Sequence, residues 1–267
     1  MFRLAAFPIL IVVAVLTAGA GLADDDFLTP NQAATIKKLT ALPKDNVAAA
    51  FDAEFRPAAD HARDGVEKAD AILRASGIRR DTRVGDVLAG DGYLVQLLVA
   101  AVYQYGRVWA NNDPASIDAA TGAAWTKRLE DPSAANIARL DQPLSSPFPG
   151  YVLDLDLIFS RYAYADAVRR GIDRSAMNHD LFATLKPGGR LVIVDARAGD
   201  DADPASAAAL CRVPEALVRK ELESAGFRFV SSGSELRDKG DASSASACGA
   251  EAARRSMDRL LLVFEKP

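Results

Sequence analysis

The fold of this chain is decided by the stretch Val84-Gly85-Asp86-Val87-Leu88-Ala89-Gly90-Asp91-Gly92-Tyr93-Leu94. A short apolar run ends in a turn that contains Gly90 and Gly92, and the apolar residues that follow recur with the period of a helix. This pattern predicts a buried strand that leads directly into a helix. Because glycine has no β-carbon and the first N–H groups of a helix are unpaired, a polar ligand can approach such a turn closely. We therefore expect a binding crevice at the end of this strand.

The rest of the chain alternates between predicted strands and predicted helices. Further strands are predicted at 106–112, 136–140, 153–160, 190–195, 227–230 and 259–264, and helices at 94–102, 115–130, 173–182 and 214–222. Asp173 is a candidate N-cap. The fifth strand is continuously apolar, as in a strand covered by helices on both faces. This order predicts an α/β fold with a doubly wound, mostly parallel, seven-stranded Rossmann-like sheet and an antiparallel C-terminal edge pair.

The first 23 residues have the three parts of a signal peptide. A basic residue, Arg3, precedes an apolar centre, and small residues at Gly21 and Ala23 follow it. An uncleaved membrane anchor is the alternative that the apolar length leaves open. Cleavage after Ala23 predicts a periplasmic or secreted protein with no stable membrane association. We divide the remainder into an N-terminal helical extension, 24–78, and an α/β domain, 79–267.

Two segments outside the predicted sheet carry expectations of their own. A helix is expected to begin at Pro30, and a second to run from Arg56 to Gly77. The charged residues Arg56, Asp60, Arg63 and Asp64 of the second helix are typical of a solvated or salt-bridged face. The stretch 231–256 is rich in Ser, Ala and Gly, which predicts a mobile excursion rather than core.

Charge, histidine and cysteine content limit the kinds of site. The net charge is −4 and no basic patch is interleaved with aromatic residues, which argues against a nucleic acid partner. The two histidines lie far apart, so no metal site is predicted. Cys211 and Cys248 would form a disulfide in an exported chain if they met, or would be two separate buried residues. The sequence leaves both possibilities open.

Four motifs together resemble the class I S-adenosylmethionine-dependent methyltransferases. They are Val84–Tyr93, Asp154–Ser160, Leu185-Lys186-Pro187-Gly188-Gly189-Arg190-Leu191-Val192-Ile193 and Ala225-Gly226-Phe227. The segments around Arg56–Asp64 and Leu217–Leu222 are similar to an exported bacterial subgroup of predicted methyltransferases. The resemblance implies methyl transfer to an unidentified small-molecule acceptor, with S-adenosylmethionine as the cofactor.

The resemblance also implies which residues contact the cofactor. Asp86, Gly90 and Gly92 match the motif that holds its methionine part. Asp141 matches the polar position beside the adenine. Ser160, Arg161 and Tyr162, after the fourth strand, fall where the family places residues near the transferred methyl group.

Candidate catalytic residues follow from the chemistry of methyl transfer. The leaving group of a sulfonium is neutral, so alignment does most of the work, and a proton is removed when the acceptor is a hydroxyl or an amine. Asp195 is the candidate base, and Tyr162 and Tyr164 are candidate orienting groups. The alternatives are that Asp195 caps a neighbouring turn and that the tyrosines are half-buried packing residues.

Two positions depart from the pattern of the family. Leu88 stands where the first glycine of the turn is usual, and Asn111 or Asn112 stands where an acidic residue commonly grips the ribose hydroxyls. An exported, catalytically inactive binding protein with the same fold is therefore the second hypothesis. A nicotinamide-dependent oxidoreductase fits less well, because the 186–189 element and the antiparallel tail are typical of methyltransferases.

Overall fold

The computed structural model describes residues 44–103, 106–248 and 257–267. Within them the chain forms one seven-stranded sheet. Its strands are β1 (Arg83–Val87), β2 (Arg107–Asn111), β3 (Ile137–Leu140), β4 (Leu155–Arg161), β5 (Leu185–Ala196), β6 (Arg228–Ser232) and β7 (Arg259–Glu265). Their order across the sheet is β3-β2-β1-β4-β5-β7-β6, and β7 alone runs antiparallel to both of its neighbours. The predicted fold class is confirmed.

Helices cover both faces of the sheet. In the described residues they are α1 (Asn46–Phe51), α2 (Ala58–His61), α3 (Asp64–Glu67), α4 (Ala69–Ser76), α5 (Tyr93–Val102), α6 (Ala119–Leu129), α7 (Ala163–Arg169), α8 (Arg174–Thr184), α9 (Pro204–Ala209) and α10 (Glu215–Ser224), with a 3₁₀ turn at Pro132–Asn136. The Asp173 carboxylate accepts the Ala176 N–H, which confirms the predicted N-cap of α8. Helix α7 and short α9 have no counterpart among the predicted helices.

Each face of the sheet has its own hydrophobic core. On one, which we call the α5 face, Val84 and Phe159 pack against α1, α4 and α5. On the other, the α8 face, Val87 and Ile158 pack against α7, α8 and α10. Residues 45–267 form one compact unit, and the described part of the predicted extension contributes Val47 and Ile72 to the α5-face core. The predicted signal peptide, 1–23, and the helix expected from Pro30 lie outside the described residues.

The single helix predicted from Arg56 to Gly77 is wrong. The chain forms three short helices there, α2, α3 and α4, and Lys68 between the last two has φ +50°. A non-glycine residue in that conformation ends a helix. The breaks allow buried Asp60 and Glu67 to face arginines elsewhere in the fold, and these partners are distant in sequence.

The prediction of a mobile excursion at 231–256 is wrong for residues 233–248, and residues 249–256 lie outside the described part. Leu236 is fully buried in the α5-face core. Buried Arg212 donates two hydrogen bonds to the Asp241 carboxylate, at 2.7 and 3.1 Å. Cys211 and Cys248 form a disulfide. These long-range contacts order a stretch whose local composition favours disorder.

Candidate functional site

The carboxyl ends of β1 and β4 lie side by side at the centre of the sheet, and we call the position beyond them the crevice. After β1 the chain adds β2 and then β3 on one side of β1. It then returns and adds β4 on the other side of β1, so the order of the strands reverses between β1 and β4. In a doubly wound sheet, the crevice at such a reversal is the usual place for a ligand.

No helix in the described ranges is long and apolar enough to cross a membrane.

The turn after β1 departs from ordinary backbone conformation at three positions. Leu88, Gly90 and Gly92 have φ values of +54°, +62° and +85°. A β-carbon on Gly92 would lie 2.6 Å from both Trp125 and Arg128, whereas one on Gly90 would meet its nearest atom at 4.0 Å. Gly92 is therefore required by the packing of α6 on the turn, and the open side of the turn is at Gly90.

Two buried asparagines at the end of β2 hold the backbone around this turn. The Asn112 amide accepts the Gly90 N–H at 2.8 Å and donates to the Gly90 carbonyl at 2.9 Å. The Asn111 amide makes the same pair of bonds with the backbone of Gln142, at 2.8 and 3.2 Å. These bonds use one of the two N–H groups and one of the two oxygen lone pairs of the Asn111 amide, so one donor and one acceptor position are left for a ribose. The resemblance had left open which asparagine faces the ribose, and nothing in the sequence indicates the bond to Gly90.

Asp86 is the least satisfied polar residue of the crevice. Its side chain is completely buried, and neither carboxylate oxygen has a hydrogen-bond partner among the residues that the structure describes. Burial raises the pKa of this carboxyl to about 7, against the opposing effect of the nearby Arg161 guanidinium. An unpartnered buried carboxylate costs several kcal/mol, so it marks a place where a donor is missing.

A network of ion pairs connects the α2–α4 segment to the crevice. The Arg63 guanidinium lies 2.6 Å from Asp91 in the glycine turn and stacks over the Tyr93 ring at 4.4 Å. The remaining close pairs, each at 2.6 Å, are Arg56–Asp64 and Arg128–Asp60. These charges are salt-bridged, as expected, but they belong to separate short segments, and Arg56 and Asp60 are buried, so they do not form one face of a helix. Their partners Asp91 and Arg128 could not be identified from the sequence.

The predicted residues at the ends of β3 and β4 lie in different surroundings. The Ser160 hydroxyl, near the end of β4, is buried on the α8 face and has no hydrogen-bond partner within the described residues. Tyr162 is half-buried with φ +57°, and its hydroxyl accepts a hydrogen bond from Arg259 at 3.3 Å. Asp141, after β3, is exposed and pairs with Arg139 at 2.9 Å.

Asp195 and Tyr164 lie together on the α8 face, away from Asp86. The buried Asp195 carboxylate accepts the N–H groups of Tyr164 and Ala165 in the first turn of α7, and burial raises its pKa to about 7. The Tyr164 hydroxyl donates to Glu221 at 2.7 Å and accepts from Asn178. Burial raises the pKa of this phenol. The structure thus brings the predicted base to the N-terminus of α7, and its catalytic role stays a prediction.

Comparison with known proteins identifies the fold. No protein-family model and no curated protein matches this sequence. A structure of an S-adenosylmethionine-dependent methyltransferase from Aquifex aeolicus matches 77% of this chain and 98% of its own, with 16% identity and a TM-score of 0.53. This chain has the fold of the class I methyltransferases.

Two further solved structures agree with this assignment. A putative sarcosine dimethylglycine methyltransferase from Galdieria sulphuraria covers 84% of this chain and 91% of its own, with 17% identity and a TM-score of 0.56. The glycopeptide N-methyltransferase MtfA covers 76% of this chain and 96% of its own, with 15% identity and a TM-score of 0.52. At sequence identities of 15% and 17%, these two similarities establish the fold alone.

Proposed function

We propose that this chain transfers a methyl group from S-adenosylmethionine to a small-molecule acceptor in the crevice between β1 and β4. The observation that carries the proposal is Asp86, whose two buried oxygens lack a donor at the foot of the glycine turn. The α-ammonium group of the cofactor would supply such a donor. The shared fold supports the same assignment, since solved structures of this fold include MtfA in complex with S-adenosylmethionine, at 14% identity and a TM-score of 0.50.

The residues of the crevice fit the amino-acid end of the cofactor better than its ribose. Asp86 would hold the ammonium group, and the open side of Gly90 would admit the ligand close to the backbone. At the ribose position Asn111 is already paired with Gln142. An amide also lacks the charge-assisted strength of a carboxylate. We therefore expect modest affinity for the nucleoside part.

The reaction needs alignment more than acid–base chemistry. When bound, the cofactor supplies a methyl group activated by a positively charged sulfur. The chain's own contribution is to hold the acceptor in line and to exclude water. Tyr162 lines the acceptor side at the end of β4, where Arg259 orients its hydroxyl. Asp195 fixes the N-terminus of α7, which begins directly after Tyr162, and so acts here as a positioning residue.

We further propose that the protein is exported to the periplasm or secreted. The disulfide between Cys211 and Cys248 supports this location, because disulfides persist in oxidising compartments. The sequence pattern of residues 1–23 supports it independently. The acidic net charge of −4 is in keeping with a small-molecule acceptor rather than a nucleic acid.

Calorimetric titration of the chain from Asp24 onward tests the proposed function. Micromolar binding of S-adenosylmethionine and S-adenosylhomocysteine is expected, with loss of binding in Asp86→Ala. Asp180→Asn is the matched control, because burial also raises the pKa of Asp180 but its carboxylate accepts the Phe148 N–H away from the crevice. Absence of heat with either ligand, from protein that melts cooperatively, would overturn the proposal and leave the inactive binding protein.

A further inference from the structure

Arg161 differs from the other arginines around the crevice in how weakly it is paired. Arg56, Arg63 and Arg128 each approach a carboxylate oxygen to 2.6 Å. The Arg161 guanidinium makes a single hydrogen bond within the described residues, to Glu67 at a long 3.5 Å. The residue is only 7% exposed, and within the described residues its Nε has no hydrogen-bond partner, which is also true of the Nε atoms of Arg56 and Arg63; the long distance to its carboxylate is what sets Arg161 apart. A buried guanidinium with unused donors is costly unless an anion completes it.

Arg161 and Asp86 project from neighbouring strands onto the same face. Asp86 pairs in register with Phe159, and Arg161 follows Phe159 by two residues, which returns it to the same side of the strand. Phe159 and Val84 both belong to the α5-face core, so that face carries both charged groups. The Asp86 oxygens have no hydrogen-bond partner, so the two opposite charges do not satisfy each other.

We propose that Arg161 is a carboxylate-binding residue that determines which ligands the crevice accepts. The inference rests on the proposed function. The carboxylate has two possible sources, the amino-acid end of the cofactor or the methyl acceptor. In the first case Asp86 and Arg161 hold the two charged groups of one amino acid, and in the second case the acceptor is a carboxylic acid.

The chemistry of the two side chains favours a carboxylate over other anions. The planar guanidinium matches a carboxylate through two parallel N–H···O bonds. A doubly charged phosphate would lie close to Glu67 and Asp86, and like charges at that distance repel. A singly charged, planar anion satisfies Arg161 with the least repulsion.

The test compares ligands with and without the amino-acid end. Binding of S-adenosylhomocysteine and of 5′-methylthioadenosine, which lacks that end, is measured by calorimetry for the parent chain and for Arg161→Met. If the cofactor supplies the carboxylate, Arg161→Met weakens S-adenosylhomocysteine by about tenfold or more, the effect of a lost charge-assisted hydrogen bond, and leaves 5′-methylthioadenosine unchanged. A second arm measures the melting temperature with sodium acetate against sodium chloride, in the presence and absence of S-adenosylhomocysteine.

Arg212→Met is the matched control. Arg212 is also a buried arginine, but its hydrogen bonds go to the Asp241 carboxylate and to the carbonyls of Ala245 and Arg197, none of which belongs to the turn after β1 or to the end of β4. We expect Arg212→Met to change the affinities for both nucleosides by the same factor.

The outcomes separate the two sources and the two proposals. Stabilisation by acetate that needs Arg161, with unchanged S-adenosylhomocysteine affinity in Arg161→Met, assigns the carboxylate to the acceptor. If Arg161→Met alters neither the affinity difference between the nucleosides nor the effect of acetate, the inference is overturned. If the parent chain binds neither nucleoside, the proposed function fails, and the acetate arm still decides whether Arg161 binds carboxylates.

Discussion

Asp86→Asn is expected to stabilise the protein by an amount that depends on pH. The pKa of Asp86 rises from 3.8 to about 7 on folding because burial disfavours the carboxylate. Each pKa unit corresponds to about 1.4 kcal/mol, so ionisable Asp86 lowers the free energy of unfolding by roughly 2 kcal/mol at pH 5 and roughly 4 kcal/mol at pH 8. Since the folded pKa lies above the unfolded value, this cost grows as pH rises between them. The gain from Asp86→Asn should therefore increase by roughly 2 to 3 kcal/mol from pH 5 to pH 8.

Urea unfolding at a series of pH values measures this gain. Any fixed cost of placing an amide at the position adds equally at every pH, so only the slope tests the reasoning. Asp195→Asn is the matched control, because its pKa is also raised to about 7 but its carboxylate accepts the N–H groups of Tyr164, Ala165 and Ala196. It should show the same slope with lower stability at pH 5. A gain for Asp86→Asn that stays constant with pH would refute an elevated pKa.

Three further changes test other parts of the structure. Cys211 and Cys248 close a loop of sequence separation 37, so replacing both by serine should lower the free energy of unfolding by about 4 kcal/mol in the chain-entropy model. Urea titration measures this change. An unchanged free energy of unfolding would mean that the disulfide does not form. Asn111→Asp removes the donor to the Gln142 carbonyl and supplies a carboxylate for the ribose hydroxyls. Calorimetry should therefore show several-fold tighter binding of S-adenosylhomocysteine. Weaker binding would contradict the assignment of Asn111 to the ribose. Gly92→Ala should lower the melting temperature by several degrees, because the alanine β-carbon would lie 2.6 Å from Trp125 and residue 92 has a φ of +85°. An unchanged melting temperature would contradict the packing of Trp125 against Gly92.

The sheet could be predicted from the sequence because its signals are local. The continuous apolar run of β5 and the glycine turn after β1 each report their own conformation within a few residues. The carboxyl end of β1 follows from the same pattern, whereas the assignment of Asp86 to the cofactor came from the resemblance and stays a prediction. Helix α4 also ends where expected, at Gly77, whose φ of +71° suits a helix terminus.

The contacts that shape the crevice could not be predicted, because they join residues far apart in the chain. Glu67 faces Arg161 across 94 positions, and Asn112 pairs with Gly90 across 22. A charge pattern shows that carboxylates and guanidiniums are present but not which of them meet. For the same reason the sequence could not show that Asp195 faces the first turn of α7 rather than Asp86.

The position of β7 has a consequence for the order in which the protein can be assembled. This strand follows all the others in the chain, yet it lies between β5 and β6 and supplies both with their antiparallel partner. Until it emerges, β5 has an open edge and β6 has no neighbour in the sheet. Arg259, its first residue, also binds the carbonyls of Val66 and Glu67, almost two hundred residues earlier. The sheet therefore closes only when its last strand has been made, and folding of the first six strands alone leaves it incomplete.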